Sequence, residues 1–280
     1  GAVVVRAHGA WGCDPDALGT PMITLSTSQT GVAQVTISNP SRMNAMTVAM
    51  WEALANVFET LSVQSPRVIV LIGDPAGHAF CAGGDIQEYP DFRFDAERLA
   101  HFHEVQVWGG LRAILNCDVP VIAKINGTCM GAGVEIACCA DIRVSTQDAV
   151  FGAPIAKLGF PMAPKEAALV GAVAGVSVAR NMLLQAATYR APALQASGFL
   201  AATHDADALD KAVQALIERQ CALAPEAARR NKQWLRESLP ASLGLSRPSP
   251  ENAYGYADSA EHREGIEAFI AKRPADFRGC

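Results

Sequence analysis

Apolar and polar positions follow three rhythms along the chain. Ile23-Thr24-Leu25 and Val32–Ser38 show the period of two that marks strands, and Gln29-Thr30-Gly31 between them reads as a hairpin turn. Over residues 47–61 the period lengthens. Met50, Leu54, Val57, Phe58 and Leu61 fall at helical spacing, which predicts a helix with one core-facing side. Val68-Ile69-Val70-Leu71-Ile72 is continuously apolar over strand length, the pattern of a strand covered on both faces. Gly73-Asp74-Pro75-Ala76-Gly77 reads as a turn and Phe80-Cys81-Ala82 as a short strand. Residues 85–95 mix aromatics with charges and read as a loop, followed by a helix over about residues 94–116. Residues 119–125, Ile142-Arg143-Val144 and Val150-Phe151-Gly152 read as further strands. Helices then dominate, over residues 165–173, 176–185, 192–197 (closed by Gly198), 206–221 and 225–238. Leu209, Val213, Leu216 and Ile217 share one face of the fourth of these. The pattern is that of an α/β protein. Residues 1–22, rich in Gly, Ala and Pro, read as an irregular extension, residues 23–200 as the core, and residues 201–280 as a helical region.

Composition narrows the function classes. Half of the 280 residues are hydrophobic, ample for a packed core. A net charge of −5 and a pI of about 5.7 argue against a nucleic-acid partner, which calls for a basic patch. No apolar run reaches membrane-spanning length. The patch Ala2-Val3-Val4-Val5 lacks the flanks of a signal peptide. The eight cysteines are scattered, without a C-x-x-C pair or zinc spacing. They read as buried thiols in a reducing compartment, so a cytoplasmic protein with no metal is expected.

The candidate chemistry centres on residues 126–141. An apolar strand enters Asn126-Gly127-Thr128-Cys129-Met130-Gly131-Ala132-Gly133-Val134-Glu135, and small apolar residues follow with the look of a helix. Glycine lets a ligand approach the main chain. The first turn of a helix leaves backbone N–H groups unpaired and aimed at any oxyanion there. Glu135 lies in that turn, within a segment too apolar to be a surface, where an acid is costly unless paired or used. A dinucleotide fold is excluded, because Ile136 stands where G-x-G-x-x-G needs its third glycine. The nucleophile elbow G-x-S-x-G is absent. A plain glycine turn with a capping acid fits this stretch alone equally well.

A second stretch, Ala79-Phe80-Cys81-Ala82-Gly83-Gly84-Asp85-Ile86, decides between them. With Pro120-Val121-Ile122-Ala123-Lys124-Ile125-Asn126-Gly127 running on to Glu135, it resembles the paired signatures of the crotonase superfamily, the enoyl-CoA hydratase/isomerase family. The tail Glu261-His262-Arg263-Glu264-Gly265-Ile266-Glu267-Ala268-Phe269-Ile270-Ala271-Lys272-Arg273 resembles the closing family motif. The resemblance implies a crotonase-type spiral of ββα units with a helical C-terminal trimerisation region, a homotrimer or dimer of trimers, and a coenzyme A thioester as substrate without a further cofactor. It implies an oxyanion hole made by the amides of Gly84 and Ala132, with Glu135 as acid/base. Arg42 and Met43, in a segment like the family's R-P-x-x-x-N-A-L, are implied to hold coenzyme A, Arg42 through its phosphates. Phe269 and Lys272 match positions at the adenosine end. Ala82, Asp85 and Ile86 belong to the substrate-contacting turn, with Asp85 reading as its structural anchor. Asp141 reads as a structural acid at a strand start. Glu88 lies nearby in sequence without a catalytic role.

One departure matters. Family hydratases flank a water with two glutamates, and the second follows F-G-x-P, where this chain has Ile155. Losing one general acid–base group costs roughly 10²–10⁴ in rate. A single-base double-bond isomerisation, a thioester hydrolysis, a decarboxylation, a carbon–carbon cleavage or a non-catalytic acyl-CoA-binding protein all fit this loss. So does a substitute acid, for which Glu166 is the candidate, although a first-turn acid after Pro164 also suits the helix dipole. His78, His101 and His103 read as ordinary loop or helix histidines.

Overall fold

The structure is a computed structural model that describes residues 4–7 and 22–279. Its frame is two sheets joined by a winding chain. The strands are β1 (Val4–Ala7), β2 (Met22–Thr27), β3 (Val32–Ser38), β4 (Val68–Gly73), β5 (Ala79–Cys81), β6 (Val121–Ile125), β7 (Thr128–Met130), β8 (Ile142–Thr146), β9 (Val150–Gly152), β10 (Thr188–Arg190) and β11 (Ala202–His204). The larger sheet runs β1-β2-β3-β4-β6-β8-β11 and the smaller β10-β9-β7-β5. β2 and β3 form the expected antiparallel hairpin, whereas β3, β4, β6, β8 and β11 run parallel. Each pass of the chain lays one strand in the larger sheet and the next in the smaller, then returns through a helix: β4 and β5, β6 and β7, β8 and β9. Equivalent strands of successive passes therefore pair in parallel, as β5, β7 and β9 do. The expected ββα spiral is this arrangement.

The helices are α1 (Val48–Gln64), α2 (Ala96–His101), α3 (Trp108–Asn116), α4 (Ala132–Cys139), α5 (Pro164–Ala174), α6 (Val176–Leu184), α7 (Ala191–Ala196), α8 (Leu209–Cys221), α9 (Pro225–Leu235) and α10 (Ala260–Ile270). Thr47 caps α1 by accepting from Met50 N, and the face predicted for it (Met50, Leu54, Val57, Phe58, Leu61) is buried. β4 is covered on both faces as its composition demands. Ile69 and Leu71 join the main core with α1, while Val68, Val70 and Ile72 meet Leu209, Val213 and Ile217 of α8 on the other side. α9 is tied to the body by cations: Lys232 Nζ lies 2.7 Å from Asp141 Oδ2, and Arg236 Nη2 lies 2.6 Å from Asp118 Oδ1.

Several expectations are revised. Within the stretch read as irregular, Val4–Ala7 is a strand parallel to β2; residues 1–3 and 8–21 lie outside the described residues. Residues 85–95 are not all loop, since Ile86–Asp91 forms a 3-10 helix capped by Asp85. The helix placed over residues 94–116 is continuous but changes winding, with a π turn at Phe102–Val107 between α2 and α3. The region from residue 201 is not purely helical, because β11 closes the larger sheet. Cys81, Cys117, Cys129, Cys138 and Cys139 are buried free thiols. Burial pushes Cys81 and Cys138 up to about 12, far from thiolate reactivity. No helix among the described residues is long and apolar enough to cross a membrane.

Candidate active site

Two main-chain turns meet at one end of the smaller sheet. The first follows β5. Met46 N donates to Gly83 C=O at 2.8 Å and Asp85 N donates to Met46 C=O at 2.8 Å, making a parallel bridge between Met46 and Gly84. A residue bracketed this way turns its own N–H to the opposite side. The Gly84 N–H is thus aimed away from Met46, and no acceptor among the described residues takes it. Asp85 Oδ1 accepts from Gln87 N at 3.1 Å and fixes the turn, the anchoring that its sequence position suggested. The second turn joins β7 to α4 through Gly131, at φ 49° and ψ −112°, a conformation that a side chain would strain. Ala132 is the first helical residue, so its N–H has no partner within the helix, and it too meets no acceptor among the described residues. The turns touch: a Cβ on Gly131 would lie 3.7 Å from Gly83 Cα, and one on Gly83 3.6 Å from the Met130 carbonyl oxygen. Two amides without an acceptor among the described residues therefore sit on touching turns that follow adjacent parallel strands.

Two neighbouring carboxyl groups lie on the helices behind the second turn. Glu135 lies in the first turn of α4, a helix whose residues are all buried, and is 7% exposed. Burial, and then the neighbouring Glu166 carboxylate, hold it well above the usual carboxylate range, partly offset by the Arg93 guanidinium. Glu166 is 3% exposed in the first turn of α5, which packs on α4. Its Oε1 lies 2.9 Å from His103 Nδ1, an imidazole presented by the π turn. With Glu166 ionised, the ring N–H donates this bond. Ile155, by contrast, sits half-buried on the 3-10 segment Pro154–Leu158 and packs against the main core. The carboxylate that stands with Glu135 is therefore Glu166, reached from a different element.

A third group went unread in the sequence. Arg93 lies with its guanidinium carbon 3.6 Å from the Phe160 ring centre and 4.2 Å from that of Tyr89. It acts electrostatically on the Tyr89 and Glu135 side chains. Its Nε is buried and has no hydrogen-bond partner among the described residues. The Tyr89 hydroxyl packs against Gly84, since a Cβ there would lie 2.4 Å from it. The only local sign of this group was the four-residue spacing of Tyr89 and Arg93, one helical turn apart. Its third member, Phe160, arrives from another part of the chain.

The other predicted residues are more scattered. Ala82 N donates to Met43 C=O at 3.0 Å, joining the Arg42–Met43 segment to the turn; Arg42 and Met43 are exposed beside it, and so is Ile86. Glu88 caps α1, its Oε2 accepting from Val48 N at 2.7 Å. Asp141 Oδ2 accepts from Val121 N at 2.7 Å, at the start of β6. Phe269 and Lys272, at the end of α10, are exposed, and no contact among the described residues joins them to the acids. Among the described residues, no group of three or more metal-ligating side chains is present.

A model of the enoyl-CoA hydratase/isomerase family matches residues 27–280. The chain is 31% identical to the 2,3-dehydroadipyl-CoA hydratase of Escherichia coli (strain K12) over 255 residues, 90% of this chain and 96% of that protein. It is 30% identical to a probable enoyl-CoA hydratase of Rhodobacter capsulatus over 254 residues, 89% of this chain and 95% of that one. Among solved structures, it is similar to an enoyl-CoA hydratase/carnithine racemase from Magnetospirillum magneticum, with a TM-score of 0.82 and 36% identity over 92% of this chain and 96% of that one. It is similar also to a putative enoyl-CoA hydratase from Streptomyces coelicolor A3(2), with a TM-score of 0.80 and 27% identity over 98% of both chains.

Proposed function

The chain belongs to the enoyl-CoA hydratase/isomerase family of the crotonase superfamily, and from that membership we propose that it adds water to a 2-enoyl-CoA thioester by a two-carboxylate mechanism using Glu135 and Glu166. The observation that carries this reading is the burial of Glu166 beside Glu135, on the two packed helices α4 and α5. The thioester oxygen lies between the amides of Gly84 and Ala132. Charge that develops on it is stabilised by roughly 3 kcal/mol or more from each preorganised donor. A water held by the carboxyl pair gives a proton to one carboxylate and its oxygen to the β-carbon, while the other carboxyl group delivers a proton to the α-carbon. His103 orients Glu166, and Arg42 takes the coenzyme A phosphates, a role supported by the Ala82–Met43 hydrogen bond that joins its segment to the turn.

A single-base double-bond isomerisation by Glu135 is the second reading, favoured by Ile155. Assembly into a cytoplasmic trimer belongs to the same proposal. It is supported by the exposed Ile266, Phe269 and Ile270 of α10, an apolar surface that an interface would cover and that would bring Phe269 and Lys272 to a bound coenzyme A.

The test is incubation in deuterated water with a panel of enoyl- and acyl-CoA thioesters, followed by mass spectrometry beside Glu135→Gln. Water addition to a 2-enoyl-CoA, lost in the variant, is the expected result. Label exchange or double-bond migration without water addition supports the single-base reading, and binding without either change means an acyl-CoA-binding protein.

A further inference from the structure

Arg93 is a cation built into the site without an anion to match it. Its guanidinium carbon lies 3.6 Å from the Phe160 ring centre and 4.2 Å from that of Tyr89, two rings set at 74° to each other that crowd it from adjacent directions. Its Nε is buried and has no hydrogen-bond partner among the described residues. Arg93 acts on Glu135 electrostatically, yet forms no ion pair with any acid of the described residues. A guanidinium partly removed from water and left without a carboxylate is costly. Ring packing alone explains its position but not its unpartnered Nε.

The location adds direction. Tyr89 links Arg93 to the first turn: its hydroxyl packs against Gly84, and its ring centre lies 4.2 Å from the Arg93 guanidinium carbon. Arg93 thus stands one aromatic side chain away from the Gly84 amide. An acyl chain that starts from a thioester oxygen at Gly84 and runs along Tyr89 meets the guanidinium after a few carbons. Without Arg93, Glu135 and Glu166 would repel any anionic acyl group. With it, a planar fork of donors matches a carboxylate in bidentate fashion.

We propose that Arg93 is the specificity determinant of the site and binds a carboxylate carried on a short acyl chain, so that the substrates are coenzyme A thioesters of dicarboxylic acids. This rests on the acyl-CoA reading above but not on the reaction assigned there. The test is therefore equilibrium binding of saturated, non-reacting thioesters in length-matched pairs: succinyl- against butyryl-CoA, glutaryl- against valeryl-CoA, and adipyl- against hexanoyl-CoA. The wild-type protein is expected to bind the carboxylate member of at least one pair about ten- to a hundredfold more tightly, the scale of hydrogen bonds to a charged group. Arg93→Gln should abolish that ratio, and Arg93→Lys should keep part of it. The ratio is read because Arg93 also faces Glu135. Equal or weaker binding of every carboxylate member overturns the proposal and leaves the acyl-CoA reading intact. An unchanged ratio in a folded Arg93→Gln protein overturns it as well. Binding of neither member of any pair overturns both. Should Arg93→Gln not fold, the wild-type and Arg93→Lys ratios decide.

Discussion

Glu166→Gln separates a two-carboxylate site from a single-base one. The side chains are nearly isosteric, and Gln keeps an acceptor oxygen for the His103 N–H that now lies 2.9 Å from Oε1. Glu166 is 3% exposed, so the replacement stays in its packed place, and the folding cost should be about 1 kcal/mol or less. The catalytic cost is of another order. One general acid–base group contributes about 10²–10⁴ in rate, equivalent to about 3–5.5 kcal/mol of barrier. Hydration of a 2-enoyl-CoA, followed by loss of the ultraviolet absorbance of the conjugated thioester, should show that drop in kcat with KM little changed.

The same variant carries a signature in pH. The Glu166 carboxylate is, after burial, the largest cause that raises Glu135. Removing its charge must lower the Glu135 pKa, so the limb of the residual pH–rate profile that reports Glu135 should move to lower pH. Activity within about threefold of wild type, together with complete loss in Glu135→Gln, would refute the two-carboxylate argument and leave Glu135 as a lone base.

Three further outcomes test other links. His103→Ala should lower kcat by about 10², the scale of a misplaced catalytic group, and should add little to Glu166→Gln; additive losses in a double-mutant cycle would show that His103 does not act through Glu166. Glu135→Gln should stabilise the fold increasingly with pH. Because the folded-state pKa is raised, the native protein retains a proton that the unfolded chain has released above about 4.3, and wild-type stability falls across that window until the folded pKa is passed. Melting midpoints of the two proteins that run parallel from pH 4 to pH 8 would contradict this. In α3 the adjacent glycines should respond oppositely to Ala. At Gly110 a Cβ would lie 2.9 Å from Trp51 Cε3 and 3.2 Å from the Trp51 carbonyl oxygen, for a net loss of about 1–2 kcal/mol, whereas at Gly109 nothing lies within 4 Å and Ala should gain up to ~1 kcal/mol in urea unfolding.

The parts of the fold legible in the sequence are those with a local physical cause. β4 reads as doubly buried because both of its faces are apolar, and α8 shows its core stripe at helical spacing. The two amide-bearing turns were marked by glycines whose backbone geometry demands them, Gly131 above all. The short strands β7, β10 and β11 were not seen. Three residues carry no period, and such strands exist only through the partner that pairs with them. The π turn is a change of winding within one continuous helical pattern, invisible to spacing. Glu135 stood out as an acid in an apolar helix, but the partner of Glu166 lies 63 positions away, and nothing local ties the two.

On the two-carboxylate reading proposed above, the second acid can leave position 155 without dismantling the site because of what the backbone contributes. The proposed oxyanion donors are main-chain groups fixed by turn geometry, by the Met46–Gly84 bridge and by the start of α4, and no side chain at 155 enters any of these. The acid has a looser requirement: a carboxyl group beside Glu135, oriented by one partner. The first turn of α5 meets it, because α5 packs on α4 and a helix N-terminus favours negative charge there. Moving the acid to α5 changes its support, however. A carboxylate at 155 would stand on a short 3-10 segment, whereas Glu166 is gripped by His103 from the π turn, in the same chain segment whose Phe102 stacks on Phe92 at 4.3 Å. Arg93 follows Phe92 directly. Glu166 and Arg93 are therefore linked through the aromatic contact between the 85–95 segment and the helix after it. On the readings proposed above, an acyl group that engages Arg93 would bear on the same packing that orients Glu166, which would join recognition of the acyl chain to placement of the acid.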